Sequence, residues 1–123
     1  MSSGIDFAEV YTSPVSDVST MLFTRPDVGA YAADRPLAGP PDTIWSYSSG
    51  TSNVVARILR DLHQGDLAAQ VRFARERLFD PADLSSAFFE PDVTGAFIGS
   101  SFVFMTARDW ARFGELHRND GVW

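Results

Sequence analysis

Between Gly50 and Leu78 the apolar residues recur every three or four positions, and that spacing limits the fold more than any other feature. Val54, Val55, Ile58, Leu59 and Leu62 form one stripe, with Arg57, Arg60 and Asp61 on the polar side. Such a repeat lines one face of a helix and cannot line one face of a strand. Gly65 ends this helix, and Asp66 can cap a second one running to about Leu78. In that second helix Leu67, Val71, Ala74 and Leu78 align as a buried face. Asp80-Pro81 then breaks the chain, ahead of a turn over 82–84.

Upstream, Ser16 caps a helix that carries Asp17 in its first turn and Val18, Met21 and Leu22 on one face. It stops before Arg25-Pro26. Residues 26–44 hold four of the seven prolines together with Gly29 and Gly39, which predicts a long loop with a short helical turn near 27–33. Residues 43–47 read as a short extended piece. Ile5, Phe7, Val10 and Tyr11 can anchor the first fourteen residues on a core, whose conformation the pattern leaves open. Downstream, Phe88-Phe89, Ala96-Phe97-Ile98 and Phe102-Val103-Phe104 read as strand and turn, punctuated by Gly95 and Gly99. Thr106, followed by Asp109 three positions later, opens a last helix in a capping-box pattern. Trp110, Phe113, Gly114 and His117 share one face of it. Asp120-Gly121 before Val122-Trp123 predicts the start of a hairpin strand. The sum is a mainly α domain over residues 1–123.

Composition narrows the function. The chain has 123 residues, 45% of them apolar, including ten phenylalanines and three tryptophans, enough for a globular core. Its formal charge is −6, with twelve aspartates and four glutamates, which argues against a nucleic-acid partner. Arg72, Arg75 and Arg77 form either a solvated helix face or an anion site. Without cysteine there is no disulfide or thiolate chemistry. His63 and His117 show no ligand spacing, so neither a metal nor another cofactor is expected. No apolar run is long enough to span a bilayer. Met1-Ser2-Ser3-Gly4 lacks the features of a signal peptide, and the compartment stays open.

Trp45-Ser46-Tyr47-Ser48-Ser49-Gly50 concentrates reactive hydroxyls at the mouth of the helix. A free phenol has a pKa near about 10, and a neighbouring cation lowers it. Tyr47 could then take a proton from a serine nucleophile or give one to a leaving group. Ser49 could hydrogen-bond a substrate carbonyl or hold the cation, and Gly50 would let backbone approach a ligand. The other reading of these residues is structural: a buried tyrosine capping a helix. The chain has ten arginines and no lysine, so the usual cation is absent.

The stretch Asp42-Thr43-Ile44-Trp45-Ser46-Tyr47-Ser48-Ser49, followed by Val54-Val55-Ala56-Arg57-Ile58-Leu59, resembles the second conserved box of serine hydrolases built on the penicillin-recognising fold. These are the class C β-lactamases, DD-peptidases and related esterases. Gly99-Ser100-Ser101-Phe102-Val103-Phe104-Met105-Thr106-Ala107-Arg108-Asp109-Trp110-Ala111-Arg112-Phe113-Gly114 is similar to a turn and helix found later in the same proteins, and Gly121-Val122-Trp123 to the end of that region. Tyr-Ser-Ser-Gly and Ala-Arg-Asp-Trp-Ala-Arg-Phe-Gly resemble most the 6-aminohexanoate-dimer hydrolase group of amidases and esterases.

The resemblance implies a nucleophilic serine in a Ser-x-x-Lys motif, a proton-shuttling tyrosine at Tyr47 and a later Lys-Thr-Gly strand. Ser49 stands where many members carry asparagine, which favours an amidase, esterase or peptidase over a β-lactam hydrolase. Without lysine, neither Ser-x-x-Lys nor Lys-Thr-Gly can be drawn here. Arginine hardly deprotonates and is a poor substitute. The expectation is a helical subdomain of a β-lactamase/transpeptidase-like α+β fold, lacking most of the antiparallel sheet and forming one wall of a cleft for a small amide or ester. Tyr47 is the expected catalytic residue and Ser49 the substrate contact. Uncovered apolar surface would then drive self-association. Two alternatives are a stand-alone helical binding module and a pseudoenzyme.

Overall fold

In the computed structural model, which describes residues 1–122, a short polar side chain opens every α-helix. Ser16 opens α1 (Asp17–Thr24), Asp27 α2 (Val28–Ala33), Ser48 α3 (Ser49–Leu62), Asp66 α4 (Leu67–Ala74) and Thr106 α5 (Ala107–Arg118). In each case the side-chain oxygen accepts from the amide three residues on, satisfying a donor that the first turn leaves orphaned. The chain is mainly helical, as expected. Among the described residues the only sheet is a two-stranded antiparallel ribbon, β1 (Phe88–Phe89) on β2 (Val103–Phe104), with Phe88 opposite Phe104 and Phe89 opposite Val103.

Several boundaries differ from the sequence expectation. α3 starts at Ser49, so Gly50 lies inside its first turn. α4 gives way at Arg75 to a π-helical stretch, Arg75–Phe79, a wider turn that propensity does not reveal. Gly65 sits at φ 76° and its amide returns to the Arg60 carbonyl at 3.0 Å, closing α3 in the left-handed conformation open to glycine. The capping box of α5 is half realised. Thr106 accepts from Asp109, but the Asp109 carboxylate turns to Ser86 and Arg112, and the Thr106 amide bonds Ser86 Oγ at 2.9 Å. The hairpin expected at the C-terminal end includes Trp123, which lies outside the described residues; Gly121, at φ 86°, donates to the Leu116 carbonyl and closes α5.

Two clusters make the core. One gathers Met21, Val28, Ala32 and Ile98, flanked by Phe7 and Val54. The other gathers Phe79, Ala82, Leu84 and Ala87, flanked by Phe89 and Phe113. Asp92 links the ribbon region to α2: its Oδ2 accepts from the Val28 amide at 3.1 Å while Oδ1 serves Thr94 and Ala96.

The orientation of α3 overturns the simplest reading of its pattern. Ser49, Gly50, Asn53 and Ala56 face inward. Val55, Ile58 and Leu62, the heart of the apolar stripe, face outward at 61%, 54% and 75% exposure. Small residues win the inner face because α2 and the Gly99 turn press close: a Cβ on Gly29 would lie 2.6 Å from Arg57 Cβ, and one on Gly99 2.7 Å from the Ser52 carbonyl. α4 behaves alike. Gln70 is fully buried, whereas Leu67 and Val71 line an open apolar groove of about 280 Å³ with Phe88 and Phe97. In α5 the buried residues are Asp109 and Leu116, and Trp110 is exposed.

Candidate active site

The N-terminal arm builds one side of the site. It runs beside the 36–46 loop, with backbone bonds from Asp6 N to Pro36 O, Ala38 N to Gly4 O, Asp42 N to Ser2 O and Ser46 N to Met1 O. These bonds hold the proline-rich loop against the arm and deliver Trp45 and Tyr47 to the start of α3. Tyr47 is the last residue before the cap and is half exposed, at 52%. The cap is Ser48, so Tyr47 is neither buried nor a cap. Its hydroxyl stands beside that of Tyr11 and interacts with it.

Ser49 lies deeper, at 2% exposure. Its amide donates to Glu9 Oε1, its Oγ reaches Glu9 Oε2 at 3.2 Å, and the Tyr11 hydroxyl lies 3.4 Å from the same Oγ. The Ser49 hydroxyl is therefore already held by protein groups. The space beside Gly50 is also taken. A Cβ there would stand 2.6 Å from the Phe7 ring, so this glycine admits a phenylalanine of the arm and not a ligand.

The site thus contains two residues that the sequence pattern did not place there: Glu9, which it passed over, and Tyr11, which it offered as a core anchor and which is exposed instead. They lie about forty positions from Ser49, and nothing periodic links the two segments. The Ser49 contact is the largest single influence on the Tyr11 phenol and lowers its pKa. The Glu9 hydrogen bond, burial, the Tyr47 hydroxyl and the Glu9 charge together outweigh it, leaving the phenol above its ordinary value. Such a group is a proton donor at neutral pH.

Behind this face, Asn53 ties α3 to the Gly99 turn. Its Nδ2 donates to the Ser49 carbonyl and to Ser100 Oγ, both at 2.9 Å, and its Oδ1 accepts from the Gly99 amide at 3.0 Å. The two motif-bearing stretches are thereby joined. The arginine group does not assemble there. Arg75 donates to the Ser85 and Ala87 carbonyls and lies over the Phe79 ring, and Arg72 faces Asp66 at 3.9 Å.

Among the described residues no cluster of three His, Asp or Glu side chains is placed to hold a metal ion, and no helix is long and apolar enough to cross a membrane. The family model described as Beta-lactamase matches residues 1–122. Among curated proteins, nothing matches the chain.

Proposed function

Since the chain belongs to the β-lactamase family, we propose that it is the helical part of a serine hydrolase that cleaves amide or ester bonds through an acyl-serine intermediate, with Tyr47 carrying the proton. The observation that supports this most is the half-exposed Tyr47, held at the start of α3 with its hydroxyl beside a second phenol. In this reading the nucleophilic serine and its lysine come from polypeptide outside these 123 residues, because the chain has no lysine. The lysine is also the cation that makes the Tyr47 phenolate accessible. Tyr47 takes the serine proton as the hydroxyl attacks the carbonyl, then gives it to the leaving amine or alcohol.

Ser49 contributes from behind. Its hydroxyl is enclosed by Glu9 and Tyr11, so it orders the turn unless substrate displaces one of them. The chain forms one wall of the cleft, and Val55, Ile58 and Leu62 meet the remainder of the hydrolase. The nearest substrate class is that of the 6-aminohexanoate-dimer hydrolases, small amides and esters, by the likeness of Tyr47-Ser48-Ser49-Gly50 and of the run from Ala107 to Gly114.

The test has two arms. The 123-residue chain alone should hydrolyse a nitrophenyl ester only at the background rate. In a polypeptide joining it to a Ser-x-x-Lys helix, Tyr47→Phe should lower kcat by about 100-fold or more, the usual contribution of a positioned acid–base group. Turnover by the isolated chain that disappears on Tyr47→Phe would refute the fragment reading. Full activity of the joined Tyr47→Phe variant would refute the role of Tyr47.

A further inference from the structure

We propose that Glu9 is a positioning residue for this site: its carboxylate grips the amide and the hydroxyl of Ser49 together, and so fixes the first turn of α3 and the Tyr47 that precedes it. Each oxygen reaches Ser49, Oε1 its amide and Oε2 its Oγ, and the carboxylate also meets the Tyr11 phenol. The ordinary capping position is already filled by Ser48, which accepts from the Thr51 amide at 3.1 Å. Glu9 is thus a second, long-range acceptor, brought from 40 positions away on the arm. Among the described residues it makes no ion pair. Its charge is met by the α3 N-terminus, where the first-turn amides and the helix dipole favour an anion.

The groups around it are few. From its own arm comes the Tyr11 phenol; from α3 comes the Ser49 hydroxyl; from the lead-in to α3 comes the Tyr47 phenol beside Tyr11. Glu9 touches no reacting atom and acts through Ser49. Removing its charge frees the arm from α3 at the point where Tyr47 is placed. The catalytic consequence rests on the hydrolase reading above, whereas the grip itself does not.

The test uses the full, ¹⁵N-labelled chain and needs no substrate. On acidification, as the carboxylate is protonated and its grip is lost, the Ser49 amide resonance should move with a single midpoint. Glu9→Gln, which keeps the shape and one acceptor, should abolish that midpoint and shift the Tyr47 ring resonances, while the Asp109 and Leu116 amides of α5 stay in place. Exchange of the Ser49 amide should quicken by about tenfold or more, the loss expected for a charged acceptor. A Ser49 amide indifferent to pH in the unmodified chain, a midpoint that survives Glu9→Gln, or an unmoved Tyr47 ring would each overturn the proposal. Tyr47→Phe should leave the Ser49 midpoint intact, so a failed hydrolase reading appears in the ester assay and a failed Glu9 role in this resonance.

Discussion

Replacing Gly29 by alanine should loosen the joint that holds α3, and the coordinates give the size of the effect. A Cβ at position 29 would lie 2.6 Å from Arg57 Cβ and 2.9 Å from the Asn53 carbonyl oxygen. Neither atom can rotate away, since one is fixed to the backbone and the other is part of it. Alanine is intrinsically better than glycine inside a helix by about 1 kcal/mol. Overpacking against fixed atoms costs about 1–3 kcal/mol, and overlaps this short belong at the upper end. The difference is a net loss of about 2 kcal/mol. For a domain of this size that lowers Tm by roughly 8 °C. Gly114, in α5, supplies the control, because a Cβ there meets nothing within 4 Å. Gly114→Ala should gain about 0.5–1 kcal/mol and raise Tm by roughly 2–4 °C. Thermal melts followed by far-ultraviolet circular dichroism, with urea midpoints at unchanged slope, read both variants. If Gly29→Ala melts at or above the parent temperature, close packing of α2 on α3 is not what selects the small residues.

Two other perturbations probe the surface and the charge network. Val55, Ile58 and Leu62 replaced together by serine should shift the chain towards monomer in sedimentation velocity without lowering its melting temperature; a large loss of stability would mean that these residues are buried. Asp17 bears on pH. Burial is the largest influence on its carboxyl and raises the pKa, but the Ala8 amide, the Tyr31 hydroxyl and Arg35 together hold it below its ordinary value. A lowered folded-state pKa contributes stability that is present above the unfolded value, near about 3.9, and is lost as pH falls through the folded one. Asp17→Asn should therefore flatten the acid side of a plot of urea midpoint against pH, and a plot parallel to that of the parent chain would contradict this.

Local chemistry was the part of the fold most legible in the sequence. Ser16, Asp66 and Thr106 could be read as caps because a cap and its amide partner are three residues apart. Arg25-Pro26 and Gly65 marked helix ends for the same reason. The inward face of α3 could not be read. Periodicity reveals that a helix has an apolar side, but the side that faces this chain is set by how closely Gly29 and Gly99 approach it. Gln70, fully buried amid a pattern that assigned the inside to Leu67 and Val71, makes the same point. At the candidate site, Tyr47 was nominated by its neighbours and their likeness to a known box. Glu9 and Tyr11 were not, because their relation to Ser49 exists only once the arm has folded back.

Asn53 has a mechanical consequence. With no exposed surface and three bonds to Ser49, Gly99 and Ser100, its carboxamide acts as a rivet between the Tyr47 box and the stretch that leads into α5. Any movement of this region must then pivot elsewhere, at the arm or beyond Gly65, and carry both stretches as one body.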